Sequence, residues 1–148
     1  MSKHKARIDW QRQGKNFDYA SYNRNHTWNF ENGIKVPASA ATQFLGNGDR
    51  VDPEEAFVAS ISSCHMLTFL AICAKKKLIV NSYIDHATGY LSLNEHGKLA
   101  ITHVTLSPEI SWEGDAPAPE LLRKLHHLSH QECFIANSVT TRVELADQ

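Results

Sequence analysis

Three cysteines, Cys64, Cys73 and Cys133, are the side chains of this sequence best suited to covalent chemistry. Cys64 and Cys73 fall nine positions apart in one predicted helix. At about 100° per residue they lie on opposite faces and cannot bond to each other while the helix stands. Cys64 shares a face with Phe57, Ile61 and Thr68. Cys73 lies in an apolar run with Leu70 and Ile72, and is expected to be a small core residue. Cys133 closes a second predicted helix and precedes the loop Phe134-Ile135-Ala136-Asn137. A thiol beside a loop can move, as one that resolves an oxidised partner must. Cys64 and Cys133 are 69 positions apart, so any bond between them comes from tertiary packing. An odd cysteine count leaves room for one functional pair and one bystander.

Nine histidines raise a second chemistry. His126 and His130 are four apart on the second helix, with Cys133 three further on and His127 adjacent. That spacing places both imidazoles on one face and could hold zinc with Cys133, given a fourth ligand such as His65 or His103. The same residues also fit a polar stripe on a surface helix, or a role in tuning Cys133. No metal and no cofactor is expected. A cysteine hydrolase is a further reading, with Cys64 as nucleophile, Glu54, and a histidine base. His65 is badly placed for that role, because adjacent helical residues point about 100° apart. The fold would have to bring in His26 or His103. Trp10, Trp28 and Trp112 are expected to pack in a core or interface rather than line a substrate pocket.

The elements that must position these groups follow from pattern. Ala6 to Trp10 and His26 to Phe30 alternate and predict strands. Asn32-Gly33 predicts a tight hairpin turn, with Ile34 to Val36 returning. Leu45 to Asp52 is a loop. A long helix starts with Asp52 as N-cap, Pro53 at the first position and Glu54 and Glu55 in the first turn. It is expected to run to about Lys77, with Lys75, Lys76 and Lys77 as its solvated end. Tyr83 to Leu93 and Leu99 to Trp112 predict two strands joined by Asn94-Glu95-His96-Gly97. A second helix begins within Asp115 to Glu120, with Leu121, Leu125 and Leu128 as its apolar stripe. Ser138 to Leu145 is a last strand. Blocks of strands and helices, rather than strict alternation, predict an α+β fold rich in antiparallel pairing, with two main helices.

The 148 residues are expected to make a single domain, 1–148. Fifteen basic against sixteen acidic residues give a net charge of −1 with histidine neutral. Such a balance offers no electrostatic footprint for nucleic acid or a membrane surface. The longest mostly apolar run, Met66 to Ala74, has nine residues, short of the ~20 that a membrane span needs. The first fifteen residues hold no apolar core of a secretory signal, so a reducing cytoplasm is the expected location.

Two segments resemble the signatures of the OsmC/Ohr family of thiol peroxidases. Asp52-Pro53-Glu54-Glu55-Ala56-Phe57-Val58-Ala59-Ser60-Ile61-Ser62-Ser63-Cys64 resembles the first, an Asn-Pro-Glu-type helix start with a cysteine ten positions after the glutamate. His130-Gln131-Glu132-Cys133-Phe134-Ile135-Ala136-Asn137-Ser138 is similar to the second, where a cysteine closes a helix and an Asn-Ser pair opens the last strand. The order of elements matches over nearly the whole chain. Asp52 stands where the family usually has Asn, and Phe134 where Pro is common. His65 is a titratable neighbour of the first cysteine.

The resemblance implies an intertwined homodimer with active sites at the subunit interface. It implies reduction of organic hydroperoxides, with hydrogen peroxide as a further candidate substrate, by Cys64 as peroxidatic cysteine and Cys133 as resolving cysteine, through a Cys64–Cys133 disulfide. It implies regeneration by a dithiol reductant such as a lipoylated protein. Glu54 would hold an arginine near the thiolate. Arg24, thirty positions before Glu54, is the best match, with Arg7, Arg12 and Arg50 as alternatives. A thiolate on an apolar helix face needs such a cation, because desolvation disfavours it. Ten residues at ~1.5 Å rise separate Glu54 from Cys64 by about 15 Å along a straight helix. Either Glu54 serves the other subunit's site, or the helix breaks between them. A non-catalytic member that binds a small apolar ligand at the dimer interface is the remaining alternative.

Overall fold

The computed structural model describes residues 1–146, which form two compact units, Met1–Ala56 and the chain from Phe57 onward. In the first unit, β1 (Ala6–Asp9), β2 (His26–Phe30) and β3 (Lys35–Ala38) make an antiparallel sheet in the order β1-β2-β3. The hairpin between β2 and β3 is one residue longer than Asn32-Gly33 predicts. Of that pair only Gly33 takes a positive φ, +80°, with Gly33 N–H donating to Phe30 O at 3.0 Å. Phe30 N–H then donates to Ile34 O at 2.9 Å, closing a three-residue loop with glycine in the left-handed position.

Helix α1 runs unbroken from Pro53 to Lys75. Its start is a reciprocal capping box. Asp52 Oδ1 accepts from Glu55 N–H at 2.7 Å, and Glu55 Oε2 accepts from Asp52 N–H at 3.1 Å. Two orphan backbone donors are satisfied, worth about 1 kcal/mol relative to an uncapped end. The helix stops two residues before the predicted Lys77. Lys77 takes φ +60°, and Leu78 N–H reaches back to Cys73 O at 3.0 Å. This is the usual helix-ending geometry, with lysine in the position glycine normally fills.

The two predicted strands after α1 are four. β4 (Val80–Asp85) and β5 (Thr88–Leu93) lead into β6 (Leu99–Leu106) and β7 (Pro108–Trp112). β4 pairs with β7, and β5 with β6, all antiparallel. The long hairpin is interrupted because Asp85 Oδ1 takes the Ser107 N–H at 2.7 Å, and Pro108 has no N–H to give. β8 (Arg142–Leu145) adds to β6 in parallel, giving the sheet β5-β6-β8. It begins at Arg142 rather than Ser138, because Ala136–Ser138 forms a 3-10 turn.

Helix α2 spans Pro119–Glu132. Its buried side chains are Leu125, His126 and Ser129, with Leu122 packed beside them. Leu121 and Leu128, predicted to share the inner stripe, are exposed. The inner face is therefore rotated from the predicted one, and it carries a histidine. On α1 the buried residues are Ile61, His65, Phe69 and Cys73, one per turn. Ile61 packs with Val104 and Leu106, whereas Phe69 and Cys73 pack with Leu125. His65 sits between these two apolar clusters. The α+β class and the antiparallel-rich sheets with two main helices agree with the sequence expectation.

Candidate active site

Cys64 lies part-way along α1, partly exposed, while Cys133 is the C-cap of α2 and is buried. The fold makes the two thiols neighbours, close enough for Cys64 to bear on the ionisation of Cys133. Burial pushes the Cys133 thiol pKa up, and the neighbouring Cys64 pushes it further. Ala136 N–H donates to Cys133 Sγ at 3.4 Å and acts in the opposite sense. The third cysteine, Cys73, is buried beside Phe69 and Leu125, and its thiol pKa is raised by burial alone. Its expected place in the core is what the packing shows.

The backbone after Cys133 is tied down rather than loose. Asn137 N–H donates to Cys133 O at 3.0 Å, and Asn137 Nδ2 to Gln131 O at 2.9 Å. Ser138 Oγ donates to Phe134 O at 2.7 Å. The Asn-Ser pair of the second signature thus fixes the turn that presents the sulfur. Phe134, in contrast, is 82% exposed.

Arg24 and Glu54 are not brought together within the chain. The Arg24 guanidinium donates to Tyr22 O at 3.0 Å and Tyr19 O at 2.6 Å, and lies 4.0 Å from the Tyr22 ring centroid. Among the described residues neither Arg24 nor Glu54 forms an ion pair. Of the alternative arginines, Arg7 pairs with Asp9 at 2.7 Å and Arg50 donates to His26 O at 3.2 Å. The continuity of α1 excludes a break between Glu54 and Cys64.

Sequence reasoning missed a buried histidine pair. His65 Nε2 and His126 Nδ1 share a hydrogen at 3.0 Å, and the rings are nearly parallel, with centroids 5.3 Å apart. Phe69 stacks on His126 at 4.4 Å. Both histidines are almost fully buried, and burial lowers each pKa from 6.5 to about 4. For His65, the neighbouring His126 and His130 lower it further, while Asp85 opposes them. The expected surface stripe on α2 is wrong at His126. The signal was in the spacing: His65 stands four residues from both Ile61 and Phe69, and His126 lies between Leu122 and Ser129.

The pair also bears on the other chemistries. His126 is turned on His65, and among the described residues no group of three or more His, Cys, Asp or Glu side chains could hold a metal ion. The zinc set of His126, His130 and Cys133 is therefore not assembled. For the hydrolase, His65 faces His126 and has no bond to Cys64. His26 has both ring nitrogens engaged, by Arg24 O at 2.8 Å and Trp28 Nε1 at 2.9 Å. His103 is stacked on Tyr90 at 4.2 Å.

A family model described as OsmC-like protein matches residues 46–146. No curated protein matches the sequence. Among solved structures, an OsmC-like protein of unknown function from Vibrio cholerae is 46% identical, with TM-score 0.94 over 99% of both chains. An organic hydroperoxide resistance protein from Elizabethkingia anophelis has TM-score 0.71 at 18% identity, over 100% of this chain and 98% of that one. An organic hydroperoxide resistance protein from Legionella pneumophila has TM-score 0.69 at 17% identity, over 99% of this chain and 100% of that one. The last two likenesses establish the shared fold.

Proposed function

Because this chain belongs to the OsmC-like family, we propose that it is a thiol-dependent peroxidase that reduces organic hydroperoxides through Cys64 and Cys133. The observation that carries this reading is that two thiols 69 positions apart are neighbours, one partly exposed and one buried. Exposure supports the division of roles. A peroxide can approach Cys64, while Cys133 is shielded and held as a thiol by burial.

In the first step the Cys64 thiolate attacks the outer peroxide oxygen. The O–O bond breaks, the alkoxide leaves and takes a proton, and Cys64 becomes a sulfenic acid. In the second, the Cys133 sulfur displaces hydroxide from that sulfenic acid. The Cys133 proton and the hydroxide leave as water, and a Cys64–Cys133 disulfide remains. A dithiol, for which a lipoylated protein is our choice, then reduces the disulfide by exchange and is itself oxidised to a cyclic disulfide. That cycle suits a reducing cytoplasm. Peroxide treatment should remove two free thiols per chain rapidly, as read with a thiol reagent, leaving one. Oxidation no faster than that of free cysteine would contradict the reading.

We also propose that the working unit is an intertwined homodimer. An 18-residue window of α1 has mean hydropathy 1.8, with only 22% of it buried, so the nine-residue run understated its apolar character. Leu67 on α1 is 60% exposed, and Ile8, Trp10, Phe17 and Ile34 are exposed on the first unit. A second copy would cover such surface. In that dimer Glu54 acts at the partner's site and orients Arg24, which stabilises the Cys64 thiolate. Mixed dimers of Cys64→Ser and Glu54→Ala chains should then regain one intact site and about half the activity of wild type, whereas each parent homodimer stays inactive. No recovery in verified mixed dimers would refute action across the interface.

A further inference from the structure

Two polar ties hold the part of α1 that carries Cys64. Ser62 Oγ donates to Asp85 Oδ2 at the end of β4, and Asp85 Oδ1 in turn accepts the Ser107 N–H. His65 Nε2 and His126 Nδ1 share a hydrogen at 3.0 Å and join α1 to α2. Cys64 stands between these anchors, two residues after the first and one before the second. On α2, Cys133 follows His126 by seven residues. That is about 10 Å along the axis and within about 20° of the same face.

The imidazole bond is directional, and the packing around it is not. Next to it, α1 and α2 meet through Phe69, Cys73 and Leu125. Such apolar contacts tolerate sliding, whereas a hydrogen bond needs a separation near 3 Å and good alignment. Neighbouring hydroxyls bond within their own helix, Thr68 Oγ1 to Cys64 O at 2.9 Å and Ser129 Oγ to Leu125 O at 2.7 Å. The outer nitrogens, His65 Nδ1 and His126 Nε2, are buried and have no partner among the described residues. Neither ring therefore has a second bond to exchange for the one they share. Any slip of α2 along α1 would leave both imidazoles buried and wholly unsatisfied, which is costly. Phe69, stacked on His126 at 4.4 Å, holds the plane of the ring.

The register matters for the thiols. A disulfide needs its two Cβ atoms within roughly 3.5–4.5 Å. A slip of one helical turn would carry a sulfur about 5.4 Å, more than that tolerance. We propose that His65 and His126 are positioning residues, which lock the register of α1 against α2 and so keep Cys133 within bonding reach of Cys64. This rests on the proposed pairing of the two thiols and adds to it the device that holds them.

The test is the effective concentration of the two thiols toward each other, read by equilibrating the folded protein in glutathione buffers at pH 7. Oxidised glutathione is reduced to two thiols as Cys64 and Cys133 give up two protons and two electrons and join. The double variant His65→Leu, His126→Leu keeps the interface filled but removes the directional bond. It should lower the effective concentration about tenfold or more. His126→Asn keeps an amide oxygen near the place of Nδ1, able to accept from His65 Nε2, and should recover most of that loss. Urea denaturation in the same buffers gives the stability of each variant. A merely structural role would make effective concentration follow stability, whereas the positioning role makes it follow the bond. An unchanged effective concentration in the double variant, or no recovery in His126→Asn, would overturn the proposal and leave the redox pair standing. Absence of a Cys64–Cys133 disulfide in the wild type would overturn the pairing itself, and the proposal with it.

Discussion

Cys64→Ser is expected to lower peroxide turnover by roughly 10³-fold or more, the scale of losing a nucleophile. Cys133→Ser is expected to behave differently. Its first step needs only Cys64, so one equivalent of peroxide should still be consumed. The sulfenic acid then has no neighbouring thiol. It should accumulate, react with dimedone, and pass to the sulfinic acid under excess peroxide. The difference follows from exposure: Cys64 is partly exposed, while the neighbouring Cys133 is buried. A serine at position 133 preserves shape near the turn that Asn137 and Ser138 hold. Rapid-mixing kinetics with cumene hydroperoxide, followed by mass spectrometry, would check both variants. Equal loss of the first turnover in the two would mean that the roles are not divided this way.

The second large effect is on stability and its pH dependence. Both members of the His65–His126 pair have folded-state pKa values near 4, below the ordinary 6.5. Between those values the unfolded chain binds more protons than the folded one, so acid favours unfolding. The stability contributed by the neutral pair is complete above pH 6.5. It is lost as pH falls from 6.5 towards 4, by on the order of 3 kcal/mol for each ring. His126→Leu should cost about 2 kcal/mol at pH 7, because the shared hydrogen is lost and His65 stays buried with neither ring nitrogen satisfied. The double variant His65→Leu, His126→Leu should recover much of that and show a shallower acid limb. Urea denaturation across this pH range measures both. Parallel pH profiles for wild type and the double variant would contradict the assignment.

Much of the fold was visible in the sequence because several local signals agreed. Asp52, Pro53 and Glu55 sit where a helix start requires them, and the structure makes a capping box of the first and third. The four strands of the long hairpin appeared as two, because no glycine or proline marks 85–88 and alternation continues through 106–108. What divides them is one side chain, Asp85, taking the Ser107 N–H in place of a backbone acceptor. Alternation cannot register that substitution. The inner face of α2 was misplaced because Leu121 and Leu128 are more apolar than His126, yet they are exposed. An imidazole can occupy a core position when a second imidazole supplies its hydrogen bond. That partner lies 61 residues away, and no local pattern points to it.

The candidate site was legible in part. The signatures around Cys64 and Cys133 named two residues that are neighbours in the fold, and their redox roles remain the proposal made above. Arg24 and Glu54 came from the resemblance alone, and within one chain they remain apart, Arg24 held by the carbonyls of Tyr19 and Tyr22. The proposed homodimer supplies the missing connection, since it lets a glutamate on an unbroken helix serve the other subunit's thiol.

The central claim is that Cys64 and Cys133 form one redox pair while Cys73 stands aside in the core. One equivalent of an organic hydroperoxide, added to reduced protein and quenched by alkylation before peptide mapping, tests it most directly. The account predicts a single disulfide linking the Cys64 and Cys133 peptides, with Cys73 alkylated as a free thiol. A disulfide that contains Cys73, or all three cysteines still alkylated after peroxide has been consumed, would contradict it.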